Sequence, residues 1–133
     1  MSEQVTDVQN RIEAIEKSYE FFLAYAAQGL TTDQGAKAGA ELRGFLARVE
    51  EAMDGLGALV TEASDGREPA AAWQEMSAVV ERDAAASLAA VRLVSARPGV
   101  SSQLIDSLNA NVHIRALLTD LFLVDELLDD ASS

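Results

Sequence analysis

Apolar residues recur at helix spacing in four blocks of this chain, and that pattern restricts it to one class of fold. In the first block Val5, Val8, Ile12, Ile15, Tyr19, Phe22 and Ala26 follow one another by alternating steps of three and four. Such steps keep the apolar side chains on one side of an α-helix, where they face a partner helix. The second block repeats the pattern with Leu42, Phe45, Val49, Ala52, Leu56, Leu59 and Ala63. The third does so with Trp73, Met76, Val80, Ala84, Ser87, Val91 and Val94. The fourth begins Leu104, Ile105, Leu108, Val112 and continues through Ile114, Leu117, Leu118, Leu121, Phe122, Val124, Leu127 and Leu128. Its stripe shifts around Asn109 to His113, which predicts a kink or a change of partner there. β-branched residues never alternate over the length of a strand.

The punctuation between blocks is that of helix ends. Ser2 or Thr6 caps the first block, and Gly29 stops it. Thr31 with Gln34 three residues later fits a capping box at the start of the second. Gly55 and Gly57 are expected to bend or weaken that helix near its end. Ser64-Asp65-Gly66-Arg67-Glu68-Pro69 is a loop, with Pro69 suited to a first helical position. Arg97-Pro98-Gly99-Val100 ends the third block, and Ser101 or Ser102 caps the fourth. The expected fold is all-α, an antiparallel up-down-up-down four-helix bundle in one domain over 1–133, with helices at about 4–28, 32–64, 69–96 and 102–129.

Charge and composition narrow the partners. The chain carries 22 acids against 10 bases, a formal charge of -12. Phosphate contacts need Lys and Arg, so direct nucleic-acid binding is disfavoured, as is an anionic membrane surface. Basic partners are favoured by long-range attraction. With no cysteine there is no disulfide, thiol nucleophile or Cys-held metal. Met1-Ser2-Glu3-Gln4 does not read as a signal peptide, and the longest apolar run, Phe21 to Ala27, is too short for a bilayer. These features predict a soluble cytoplasmic protein. Scarce lysine beside abundant alanine and arginine suggests a bacterial chain from a GC-rich genome.

No constellation for catalysis is legible. A bundle-borne di-iron centre needs Glu-x-x-His on two helices, but His113 is the only histidine and position 110 is alanine. The serines gather at helix ends, apart from Ser87 on the third stripe, where bonding to a backbone carbonyl suffices. No phosphate-binding glycine loop follows a strand. No catalytic residue, metal ligand or cofactor is therefore assigned, and the chain is expected not to be an enzyme.

Two segments stand out as interface candidates. Phe21-Phe22-Leu23-Ala24-Tyr25 is apolar on all sides of its helix, more than one core stripe requires. Phe21, Leu23 and Tyr25 are candidate contacts for a second copy or another protein. The small-residue flank at Gly35, Gly39 and Gly44 is a surface that could receive Phe21 or Tyr25. The last block sets Asp125, Glu126, Asp129 and Asp130 among leucines, where acids oppose the helix macrodipole. That composition suits docking of a basic protein. Trp73 and Met76 are candidates for a core pocket. The leading expectation is a non-catalytic accessory or assembly factor that forms a homodimer and binds a protein partner. A small-molecule-binding or sensory bundle and an acidic nucleic-acid mimic are the alternatives.

Overall fold

The computed structural model describes residues 2–129. They form six helices: α1 (Glu3–Ala26), α2 (Lys37–Met53), α3 (Leu56–Ala63), α4 (Ala70–Ser95), α5 (Ser102–Asn109) and α6 (Val112–Asp129). The all-α class is confirmed. The four-helix bundle is not, because the second and fourth blocks each divide into two helices.

Both divisions have local causes. After Met53 the chain leaves helical geometry at Asp54 and turns through Gly55, whose φ of 70° is left-handed and free of steric cost only for glycine. The Arg11 guanidinium donates to the Asp54 carbonyl and satisfies it at the break. Between α5 and α6, the Asn111 side chain accepts the His113 N–H at 2.9 Å and its carbonyl accepts the Arg115 N–H. Asparagine here starts a new helix instead of continuing the old one. The shift of the apolar stripe around Asn109 to His113 coincides with this second break.

The other ends follow the sequence in part. Ser2 caps α1 by accepting the Val5 N–H, and Ser101 caps α5 by accepting that of Leu104. The expected capping box at Thr31 and Gln34 does not form. Thr32 Oγ1 accepts the Gln34 N–H in a short turn, and α2 begins only at Lys37. Pro69 precedes the first residue of α4 as its cap.

Helices α1 and α4 each pack against the α2/α3 side and the α5/α6 side, so the core lies between them. Val8, Ile15, Leu42, Leu46, Leu56, Val60, Val80, Val91, Ile105, Leu117 and Leu121 are among the fully buried members. Each such side chain contributes roughly 1.5–3 kcal/mol of transfer free energy.

One end of the core is closed by a polar clasp. Asp33, in the α1–α2 loop, accepts the Val100 N–H at 2.7 Å and the Arg43 Nε–H at 2.9 Å. Arg43, on α2, also donates to the carbonyls of Ser95 and Arg97, each at 2.8 Å. Tyr25 donates its hydroxyl to the Val100 carbonyl at 2.7 Å. Ser102 donates to the Tyr25 carbonyl at 2.6 Å and accepts the Leu30 N–H at 2.9 Å, while its own N–H reaches the Leu30 carbonyl. Two loops distant in sequence are thereby joined across the ends of α1, α2, α4 and α5. Burial works to push the Asp33 pKa up, but the bonds from Arg43 and Val100 outweigh it and hold the carboxyl below its usual range.

Gly39 makes the clasp possible, since a Cβ there would fall 1.8 Å from the Asp33 carbonyl oxygen. Gly39→Ala is therefore expected to cost about 1–3 kcal/mol or more by overpacking. Gly44→Ala, inside α2 with open space around it, is expected to stabilise by about 0.4–1 kcal/mol through the unfolded chain. Urea denaturation of the two variants checks the opposite signs.

Asp33→Asn should lose about 1.5–3 kcal/mol at neutral pH, the range for a hydrogen bond to a charged group. Because the folded pKa of Asp33 is depressed, its stabilisation is present above the unfolded carboxylate pKa and fades as pH falls through the folded value. The difference between wild type and Asp33→Asn should therefore shrink below about pH 4, as measured by denaturation at a series of pH values.

Candidate functional site

Helix α6 buries one stripe and leaves an apolar row outside. Leu117, Leu121, Val124 and Leu128 face the core. Phe122 and Leu123 fall between those positions, so helical geometry turns them outward, where they remain 54% and 51% exposed. Leu127, one turn beyond Leu123, is 41% exposed. Exposed apolar side chains grouped in this way are a mark of interaction surfaces, whereas single ones are ordinary.

Acids border this row. Glu126 and Asp129 are exposed and Asp125 is half-buried. Helix α1 runs antiparallel beside α6, with the Gln9 amide 3.5 Å from the Asp129 carboxylate near one end. Further along, Glu16 of α1 faces Asp125. Burial first, then Asp125, then Glu20 and Glu13 push the Glu16 pKa up. Four carboxylates thus crowd one edge between α1 and α6. Leu23, 50% exposed, lies on the same side of α1 as Glu16 and Glu20, one to two turns farther on.

The last turn of α6 meets a base from elsewhere in the chain. Arg67, in the α3–α4 loop, donates to the Leu128 carbonyl at 2.9 Å and the Leu127 carbonyl at 3.2 Å. A guanidinium on these carbonyls answers both the open hydrogen-bonding groups of the last turn and the negative end of the dipole.

Beneath this surface, on the side of α6 that meets α4, Asp120 lies against Asp83 of α4. Asp120 Oδ2 is closed off from solvent and accepts no hydrogen bond from a donor among the described residues. Burial, followed by the Asp83 carboxyl, raises the Asp120 pKa to about 7, and Arg82 offsets this only in part.

The sequence-derived candidates distribute unevenly. Leu23, Asp125, Glu126 and Asp129 do come to the surface near the α1–α6 edge, and Asp130 lies outside the described residues. Tyr25 does not reach the surface. It is fully buried, because its hydroxyl finds a partner in the clasp. Phe21 is half-buried and stacks on Phe45 of α2 at 4.4 Å between ring centroids. The Arg48 guanidinium lies 4.8 Å from that Phe45 ring. Gly35 is exposed in the loop and Gly39 is covered by the Asp33 backbone, so the small-residue flank receives a loop and no aromatic ring. Trp73 lines a cavity of about 90 Å³ with Ser64, Arg67 and Ser77, but Met76 is not part of that wall.

Phe122 and Leu123 are the functional candidates that the stripe alone understates. The signal is their position one and two residues after Leu121, out of step with Leu117, Leu121, Val124 and Leu128. Asp83 and Asp120 likewise sit at stripe edges, each one residue before a buried apolar side chain, Ala84 and Leu121.

Among the described residues no three His, Asp or Glu side chains group to hold a metal ion, and no helix is long and apolar enough to cross a membrane. Comparison of the chain with protein-family models, curated proteins and solved structures gave no match. Fold and surface together define a small all-helical domain with one acidic, partly apolar helix face.

Removing the Arg67 side chain should loosen the end of α6. Arg67→Ala is expected to cost on the order of 1 kcal/mol and to speed amide hydrogen exchange in the last turn of α6 selectively over α2 and α4.

Proposed function

We propose that this chain is a non-catalytic docking domain that binds a basic, amphipathic segment of another protein along the outer face of α6. The observation that carries the reading is the joint exposure of Phe122 and Leu123 beside the carboxylates of Asp125, Glu126, Glu16 and Glu20. The apolar pair offers area to bury, at about 25 cal/mol per Å². The crowded carboxylates favour any cation brought to them, and Glu16 gains most because its charged form is already disfavoured.

Charge also selects the occupant. Two copies meeting through this face would bring like-charged rims together, in a chain of formal charge -12. A different chain, with Lys or Arg flanking apolar residues at i, i+3 and i+4 spacing, meets the surface without that repulsion. An accessory or assembly role follows naturally for a domain whose best-supported asset is a surface. A small-molecule site beside Trp73 draws less support, since the cavity there, of about 90 Å³, is well below the roughly 300–1,000 Å³ of ordinary ligand sites.

The test uses two synthetic helical peptides with the same leucine face, one flanked by lysine and the other by glutamate. The lysine peptide should bind, with affinity falling as salt rises. Phe122→Glu should abolish that binding while leaving thermal stability nearly unchanged, because Phe122 is half exposed. Equal binding of both peptides, binding by neither, or a stable dimer built through α6 in sedimentation would overturn the reading.

A further inference from the structure

We propose that Asp83 and Asp120 hold a single proton between them and act as a pH-sensitive latch that seats α6 on α4. The geometry supplies the argument. Helices α4 and α6 are packed partners, and the two carboxyls meet in their contact. With both ionised, each offers only acceptors. Asp120 Oδ2 is then a solvent-shielded oxygen with nothing to accept from, which matches its lack of a donor among the described residues. One proton converts the same contact into an O–H···O bond to a charged acceptor, among the stronger hydrogen bonds in proteins. Burial, with the Asp83 carboxyl beside it, disfavours the charged form of Asp120, so Asp120 retains its proton to higher pH than an ordinary aspartate.

The surrounding charges do not cancel the effect. On α4 the groups facing Asp120 are Asp83 and Arg82, and Arg82 is exposed and only partly offsets Asp83. On α1, the other long helix against α6, Glu16 faces Asp125. Along α6 itself the nearest charged neighbours are Arg115 and Asp125. Ser87, one turn beyond Asp83, spends its hydroxyl on the Asp83 main-chain carbonyl at 2.7 Å and leaves the carboxyl to Asp120.

The sign of the pH dependence follows. The Asp120 proton is bound in the folded protein up to about pH 7, while an unfolded aspartate releases it near 3.9. Folded protein therefore binds more protons than unfolded protein between about pH 4 and pH 7, and this contribution to stability falls as pH rises through that window. It is fully present below the window and fully lost above it. The latch does not depend on the docking reading, although it sits beneath the helix that carries the docking face.

The experiment pairs carbon-detected NMR titration of the Asp120 side-chain carboxyl with thermal unfolding from pH 5 to pH 8. The expected midpoint is near neutral in the wild type and falls toward the ordinary carboxylate range in Asp83→Asn. Asp120→Asn keeps the shape and can donate its amide to Asp83 without titrating. Its Tm should lose less than the wild type between pH 5 and pH 8, by a difference on the order of 5 °C. Amide exchange in α6 should quicken at pH 8 relative to Asp120→Asn once intrinsic exchange rates are divided out. An ordinary carboxylate midpoint for Asp120, or parallel Tm-against-pH curves for wild type and Asp120→Asn, would overturn the latch. Should Asp120→Asn fail to fold, the wild-type and Asp83→Asn titrations decide it alone.

Discussion

The carboxylate of Asp33 is the point on which the arrangement of this chain depends. It is nearly sealed from solvent and would be costly there alone. Arg43 and the Val100 N–H make it tolerable, and in doing so they determine where three segments lie. The loop after α1 must come down over α2, which only a hydrogen at position 39 permits. The loop after α4 must bring Val100 to the same carboxylate, and Arg43 ties down the carbonyls that lead into it. Tyr25 and Ser102 then close the other side of that loop. Removing one partner of such a network leaves the others buried and unsatisfied, which is why its members act together.

That dependence marks the boundary of what the sequence could disclose. Caps contained within three residues were readable: Ser2 and Ser101 do what their type and position imply. The helical stripes were readable too, because periodicity reports burial on one side. Thr31 and Gln34 also satisfied a local rule, yet the rule lost. The competing bond joins Asp33 to a residue 67 positions away, and no window on the sequence contains it. Tyr25 illustrates the same limit from the other direction. Off the stripe, it reads as surplus surface, but a phenol needs an acceptor when buried, and the acceptor is the Val100 carbonyl, 75 positions away. Six helices replaced four because Gly55 and Asn111 each stop a helix whose apolar pattern continues past them.

The surface candidate was half legible for a related reason. The acids at 125, 126 and 129 were evident from composition, but the edge they share with Glu16 requires knowing that α1 and α6 lie side by side. The apparent conflict of acids with the helix dipole resolves once Arg67 arrives from the α3–α4 loop. Local electrostatic rules hold in this chain, but the counter-charge comes through tertiary contact.

Helix α6 consequently has three faces with different demands. Its apolar stripe fixes it to the core, its outer row offers Phe122 and Leu123 to solvent, and its α4 edge carries a carboxyl opposite another carboxyl. A chain selected for stability alone has simple remedies for each: a polar residue at 122, an asparagine at 120. An exposed aromatic and a half-buried acid with one shielded oxygen thus sit on one helix, where the proposed partner and the proposed proton would act on the same element. Helix α6 follows α5 after the short break at Ala110 and Asn111, while the clasp holds the opposite end of α5 through Ser102. That break, one of the two that make six helices of four apolar blocks, thus lies between the clasped start of α5 and the helix that carries Phe122 and Leu123.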